Sequence, residues 1–185
     1  MAALTRYRSE GDLHCIDVRL SSVDQVFDLR DPAPFRERDL EPDLVEYLYT
    51  AAEDLAAHGP FQVVLWLPEA VDADRLVLAY RAHFAYEVDR VVRRRRRLKR
   101  DGGLALLFAA PLLVALLALA RVAGGIARVG VEVSEGITIA GWVLMWRPIE
   151  TLFYDWIPLR REHKLYTRLR DCPLTVREGT PPRSA

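Results

Sequence analysis

The chain has 185 residues with 26 basic and 26 acidic side chains, so its formal net charge at pH 7 is zero. This length suits one soluble domain with a small membrane element. The two cysteines, Cys15 and Cys172, lie far apart; they exclude a disulfide-rich scaffold and are expected to be free thiols in a reducing compartment.

The N-terminal residues predict the cytosolic start of a mixed domain. The first twenty residues lack an apolar core, so no secretory signal is predicted. Within residues 13–20 apolar and charged side chains alternate, which predicts a half-buried strand. Residues 22–29 predict a short helix, with Ser22 and Gln25 in capping-box spacing.

A charge-dense segment, FRERDLEPD at residues 35–43, enters the next predicted helix. Pro42 suits the first turn of that helix, and acidic side chains surround its positive end. The segment could be a binding surface or an active-site loop, and the alternative is helix capping with solvated charge. The candidate interaction residues are Arg36, Glu37, Arg38 and Asp39.

Two helices and a strand are predicted next. Apolar spacing predicts a helix over residues 42–57, and the apolar run at 61–67 predicts a central strand covered on both faces. Residues 71–100 predict one long helix that can continue into a membrane segment. On it, His83, Tyr86 and Glu87 share a face, and they form either an acid–base cluster or a polar face near the membrane.

Residues 93–97 are five consecutive arginines, and the uncharged residues 102–120 follow closely. A basic block beside an apolar segment marks the cytoplasmic side of a membrane span. Nucleic acid could bind such a run, but its position favours anionic lipid headgroups, and no nucleic-acid partner is expected. The residues assigned to headgroup contact and topology are Arg93, Arg94, Arg95, Arg96, Arg97, Lys99 and Arg100.

Residues 102–120 contain eight leucines and predict a membrane-spanning helix. At roughly 1.5 Å per residue this segment spans about 28 Å, close to the hydrocarbon thickness of a bilayer. Its apolar side chains contribute roughly −4 kcal/mol on the insertion scale before the cost of Pro111. The alternative is a buried core helix, but so short a chain could not cover it on every side.

Residues 136–159 are long enough for a second span but contain Arg147, Glu150 and Asp155. One central charge costs about 2.5 to 3.5 kcal/mol on the insertion scale, so three unpaired charges would prevent insertion. Arg147 and Glu150 can pair on one helix face, and Asp155 lies at a predicted aromatic belt. Whether the segment spans fully or re-enters stays open. The predicted polar clamp consists of Arg147, Glu150, Tyr154 and Asp155.

Flanking charge predicts the orientation of the two spans. Residues 90–100 contain eight basic side chains and residues 160–170 contain five, whereas residues 121–135 contain two arginines balanced by two glutamates. The positive-inside rule then places both chain ends in the cytoplasm. The prediction is a multi-pass protein of the bacterial inner (cytoplasmic) membrane with an antiparallel hairpin.

The C-terminal part is predicted to return to the cytosolic domain. Residues 161–170 predict an amphipathic helix, and residues 174–177 predict a strand that joins the N-terminal sheet. The predicted fold class is α+β, a small cytosolic α/β domain with about three strands plus a two-helix transmembrane hairpin. The domains are a cytosolic part at 1–100, the hairpin at 101–159, and a helix, strand and tail at 160–185.

Three motifs carry a family resemblance: DPAPFRERDLEPD at residues 31–43, HFAYE at 83–87 and GWVLMWRPIETLFYDWIPLRR at 141–161. With them the chain resembles an uncharacterised family of bacterial two-helix membrane proteins. The resemblance covers most of the chain, and the last motif is fairly specific. It implies a cytosolic α/β portion with two membrane helices, and it implies no reaction.

The leading hypothesis is a non-enzymatic inner-membrane protein that anchors a cytosolic interaction domain and self-associates or binds another membrane protein. Its basis is the charged second segment, which needs a partner. No zinc-site spacing or phosphate loop is found, so no metal or cofactor is predicted. One alternative is an oligomeric ion or proton channel or transporter that uses Arg147, Glu150 and Asp155. Another is a membrane-surface enzyme that uses residues 35–43 and 83–87.

Overall fold

The computed structural model describes residues 6–34, 38–69, 72–124 and 130–182, and it confirms the predicted α+β class. The strands of its sheet follow the order β1 (Arg8–Glu10), β2 (Leu13–Arg19), β3 (Phe61–Leu67) and β4 (Leu174–Glu178). β1 is antiparallel to β2, and β3 is parallel to β2 and β4. The α-helices in the described ranges are α1 (Pro42–Leu55), α2 (Ala73–Gly124), α3 (Gly130–Phe153) and α4 (Trp156–Asp171).

The chain divides into two compact units. The first comprises residues 1–90 and 162–185, and the second comprises residues 91–161. The sheet, α1, the start of α2 and most of α4 therefore belong to the first unit. The rest of α2, all of α3 and the start of α4 belong to the second.

The helices of the first unit pack on one face of the sheet, where the apolar core lies. All seven residues of β3 are buried, as predicted for a central strand, because β2 and β4 flank it and side chains cover both of its faces. α1 places Leu44, Leu48 and Leu55 in this core, and α2 adds Tyr80 and Phe84. Each helix turns one stripe of apolar side chains toward the sheet.

The start of α1 follows from its local sequence. Pro42 occupies the first turn, and the Glu41 carboxylate accepts hydrogen bonds from the N–H groups of Asp43 at 2.7 Å and Leu44 at 3.1 Å. These bonds satisfy two N–H groups that have no partner within the helix. The helix ends at Leu55, two residues earlier than residues 42–57 predict.

The predicted return of the C-terminal strand to the sheet is confirmed. β4 pairs with β3 in parallel, and Leu174 and Val176 pack against the core. The preceding helix is tied to the same unit, because the Arg168 guanidinium donates to the carbonyl oxygens of Ala56, at 3.1 Å, and Gly59.

Two predictions for the N-terminal part need correction. The sheet has a fourth strand, β1, which consists of polar residues without an apolar alternation; it returns to β2 through a turn where Gly11 has a φ of 61°. The helix expected at 22–29 is a 3-10 helix over Val23–Val26 with no side-chain cap from Ser22. It ends there because Phe27 is extended and bridges to Leu40.

In the second unit, α2 continues through the arginine run into the apolar segment, as predicted. It is the helix within the described ranges whose length and composition allow it to cross a membrane, and only 6% of its most apolar window is buried. The segment at 136–159 is not one helix. α3 ends at Phe153, Tyr154 and Asp155 form a turn, and α4 begins at Trp156. Pro158 lies in the first turn of α4, where a missing N–H costs nothing.

α3 packs against the apolar part of α2. A Cβ atom at Gly141 would lie 2.7 Å from Cδ1 of Leu113 and 3.8 Å from Cβ of Leu116, so the glycine allows a close approach of the two helices. Met145 on α3 and Ala120 on α2 are also buried. Small residues at such a contact are typical of helix pairs in membranes.

Candidate functional site

A cleft in the first unit brings together two motifs that are far apart in sequence. It has a volume of about 380 Å³, and both the FRERDLEPD segment and the HFAYE segment contribute to its wall. Asp39 comes from the loop before α1, and His83 and Glu87 come from α2. The apolar part of the wall consists of Leu40, Pro42 and Val45.

His83 joins the loop to α2. Its Nδ1 atom lies 3.1 Å from Oδ1 of Asp39 and 3.3 Å from the backbone nitrogen of Leu40. Nδ1 can serve only one of these partners, and the shorter, charge-assisted contact with the carboxylate favours a protonated Nδ1 that donates to Asp39. In the neutral imidazole the other ring nitrogen, Nε2, is then an acceptor.

The Nε2 atom of His83 is buried and has no hydrogen-bond partner in the described part of the chain. Only 7% of the His83 side chain is exposed, so water does not readily replace a protein partner. An unsatisfied buried polar atom costs about 1 to 3 kcal/mol. Such an atom in the wall of a cleft indicates a position that a further group can occupy.

An ion pair between the covered Glu87 and the exposed Arg90 lies one turn along α2. Arg90 donates from Nη1 to Oε1 of Glu87 at 3.0 Å, and this hydrogen bond raises the pKa of Arg90. Both side chains line the cleft, whereas Tyr86 is exposed and does not. Of the predicted face, only His83 and Glu87 therefore meet in the cleft.

Two tyrosines complete the wall, and the sequence did not single them out. The rings of Tyr49 on α1 and Tyr166 on α4 lie 5.3 Å apart between centroids. Burial raises the pKa of both hydroxyl groups, and the Glu87 carboxylate raises that of Tyr166 further. Both rings therefore present neutral aromatic surface at ordinary pH.

The remaining predicted interaction residues divide into two groups. Arg36 and Glu37 lie outside the described residues. Arg38 is half-buried, and its Nε atom has no partner in the described ranges.

The Asp31 carboxylate holds the described residues before α1 together. It accepts hydrogen bonds from the N–H groups of Ala33 at 2.9 Å and Asp39 at 2.8 Å, and these bonds lower the pKa of Asp31.

A larger concavity of about 650 Å³ lies beyond the end of β2. Its wall is mainly apolar and includes Leu20, Phe27 and Tyr47. Its wall contains carboxylates, Asp28 among them, but no histidine or cysteine of the described residues.

The opposite face of the sheet carries an ion-pair network that the sequence did not predict. Arg177 donates to Glu10 through two bonds of 2.7 and 2.9 Å, and Arg8 pairs with both Glu10 and Asp17. The hydrogen bonds from Arg177 and Arg8 hold the pKa of Glu10 at about 2. The network covers the buried side chains of this face, Cys15, Val64 and Trp66.

In the second unit, two arginines meet one indole ring. The guanidinium carbon of Arg95 lies 5.6 Å from the ring centroid of Trp156, and that of Arg160 lies 5.8 Å from it. Both distances are typical of cation–π contacts. The contact joins the arginine run of α2 to the start of α4. The other side chains of the predicted headgroup set are exposed: Arg93, Arg94, Arg96, Arg97, Lys99 and Arg100.

The predicted pair on α3 is present. Arg147 donates from Nη1 to Oε2 of Glu150 at 3.2 Å, and 76% and 40% of their side chains are exposed. Tyr154 is exposed and Asp155 is half-buried at the turn after α3. The pair therefore faces away from α2 and is open to a second chain, lipid or water.

The three motifs of the family resemblance lie in different parts of the fold. The described residues of 31–43 lead into α1 and form its start, residues 83–87 lie on α2, and residues 141–161 extend from the second half of α3 into α4. Comparison with protein-family models, curated proteins and solved structures finds no match. Membership of the two-helix membrane family stays a prediction from these motifs.

Proposed function

We propose that the chain is an integral protein of the bacterial inner membrane that anchors a cytosolic α+β interaction domain and self-associates. The observation that carries this proposal is the exposed apolar surface of α2, where Leu107, Phe108 and Val114 are unburied along a stretch without charges. Exposed apolar surface of this extent marks a membrane or protein contact. A bilayer can cover every side of this helix, whereas the rest of so short a chain cannot.

The packing of α3 supports a hairpin. Gly141 lets α3 approach α2, and the side chains on its outer surface, Ile139, Val143 and Trp146, are large, apolar and exposed. α3 is less apolar than α2 because it contains Arg147 and Glu150. Their mutual hydrogen bond lowers the cost of placing them in the bilayer. We infer that α2 and α3 cross the membrane as an antiparallel pair.

The contact between Arg95, Trp156 and Arg160 supports a hairpin whose first span begins, and whose second span ends, on the same side of the membrane. Tryptophan concentrates at the membrane–water interface, and arginine concentrates on the cytoplasmic side. Two guanidinium groups at one indole ring, beside exposed arginines, form a surface suited to anionic lipid headgroups. Both ends of the chain are then cytoplasmic.

Self-association follows from the position of the polar pair on α3. Arg147 and Glu150 face away from α2, and a charged pair that faces lipid is more costly than one that faces a second helix. A second copy of the chain offers the same pair and can complete its hydrogen bonds. The proposed role of the protein is therefore to assemble copies of its cytosolic domain at the membrane surface.

The mass of the solubilised particle tests this proposal. We expect the protein to stay in the membrane pellet after an alkaline wash, and to run in mild detergent as a particle of two or more chains. The double variant Arg147→Leu, Glu150→Leu should lose the higher mass, whereas Trp142→Leu, on a different face of α3, should keep it. A strict monomer without crosslinked partners in cells would contradict self-association, and ion or proton flux in liposomes would favour the channel alternative.

A further inference from the structure

We propose that the cleft of the first unit binds a small molecule with a primary ammonium group on an apolar or aromatic body. This site goes beyond membrane anchoring and does not depend on it. The volume of about 380 Å³ lies in the range of small-molecule sites. Its wall combines three apolar side chains and two tyrosines with six charged or polar side chains, so it is more polar than most such sites.

The charges in the wall favour a cation. Four carboxylates line the cleft, and two of them are neutralised by arginines: Glu87 by Arg90 at 3.0 Å, and Asp28 by Arg30 at 3.0 Å. Asp39 and Glu46 have no guanidinium partner in the described ranges. Two unneutralised carboxylates in one concavity attract a positively charged group and repel an anion.

The buried imidazole adds a position for a donor. With Nδ1 donating to Asp39, Nε2 of the neutral His83 imidazole is an acceptor, and it has no partner within the described residues. An ammonium or hydroxyl group donates to such an atom, whereas a carboxylate cannot. Nε2 is covered in this structure, so a ligand reaches it only after a small displacement of the cleft wall.

The tyrosine rings suit the remainder of the same ligand. Tyr49 and Tyr166 lie side by side, and each ring face attracts a cation or stacks on an aromatic body. Carboxylates, a ring-nitrogen acceptor and aromatic faces all favour one chemical class, an amine. The carboxylates of Asp39 and Glu46 would repel a phosphate or carboxylate ligand. The guanidinium group in the wall, that of Arg90, is already paired with Glu87.

Three probes of the same size separate charge from shape: phenethylamine, 2-phenylethanol and phenylacetate. The experiment is calorimetric measurement of their binding to the full chain in nanodiscs of zwitterionic lipid. Phenethylamine should bind about tenfold more tightly than the alcohol, and phenylacetate should not bind. Equal binding of the amine and the alcohol, tighter binding of the acid, or no binding of the amine would overturn the proposal.

Variants locate the site. Asp39→Asn and Glu46→Gln should each weaken phenethylamine binding by about three- to tenfold, because each removes a partly exposed charge. Asp12→Asn, on the exposed turn between β1 and β2, removes the same charge away from the cleft and should leave binding unchanged. Unchanged thermal midpoints show that the variants are folded. Equal losses in all three variants would reveal general electrostatic attraction and exclude this cleft as the site.

Discussion

Val114→Arg should strongly reduce membrane integration of the chain. Val114 lies within the uncharged stretch of α2, and 66% of it is exposed. On the insertion scale the change from valine to arginine costs about 3 to 4 kcal/mol, which nearly cancels the roughly −4 kcal/mol predicted for the whole segment. We expect most of the variant in the soluble or degraded fraction, measured by fractionation after an alkaline wash.

Leu78→Arg is the matched control for that variant. Leu78 lies on the part of α2 within the first unit, and 54% of it is exposed, so the same substitution places a charge in water. An exposed surface substitution changes stability by about 0.5 kcal/mol or less, and integration should be unchanged. If Val114→Arg were as harmless as Leu78→Arg, the exposed apolar surface of α2 would not be a lipid contact.

Arg147→Leu alone should be worse than Arg147→Leu combined with Glu150→Leu. The single change leaves the Glu150 carboxylate without its partner in a poor solvent for charge, at a cost on the order of 2 to 3 kcal/mol. The double change leaves an apolar helix, so the yield of folded protein in the membrane should recover. The measurement is the yield of monodisperse protein from detergent-solubilised membranes.

A second pair on the same chain provides the control for this cycle. Asp72 and Arg75 are also three residues apart and lie 3.6 Å apart, but they belong to the first unit and are exposed. Arg75→Leu should change the yield little, because exposed ion pairs contribute about 0 to 1 kcal/mol. Equal or additive losses for Arg147→Leu and Glu150→Leu would argue against direct pairing within the membrane.

The strands that the sequence predicts well are those whose burial is visible in their pattern. Residues 61–67 are apolar except for Gln62 because both faces of β3 are covered, and residues 13–20 alternate because one face of β2 packs on the helices. β1 has no such signal. Its polar side chains take part in ion pairs with Asp17 and Arg177, and these partners are identifiable only after the sheet has formed.

The sequence predicts where helices occur better than it predicts the residues at which they begin and end. The 3-10 helix at Val23–Val26 is short because Phe27 turns away to bridge Leu40, a contact made across the loop. The break at Tyr154 divides residues 136–159, whose length and apolar composition alone suggest a single span. Pro158 marks it in the sequence, but a proline in a first turn and a proline that ends a helix look alike in isolation.

The candidate site was predictable only in parts. The residues 35–43 and 83–87 stand out by charge and by helical spacing, but the contact between Asp39 and His83 joins positions 44 residues apart. Tyr166 reaches the cleft because α4 returns to the first unit beside α2, which no local pattern shows. By contrast, the pair of Arg147 and Glu150 was predictable because its geometry is that of one helix turn.

The side of the membrane on which each part of the chain lies tests the central claim most directly. A cytoplasm-active fluorescent protein is fused to either end, and a periplasm-active phosphatase is inserted after Gly124, at the end of α2. If the chain crosses the membrane twice and both of its ends are cytoplasmic, both fusions should fluoresce and the inserted phosphatase should be active. A fluorescent N-terminus with a dark C-terminus, or an inactive phosphatase, would contradict the hairpin.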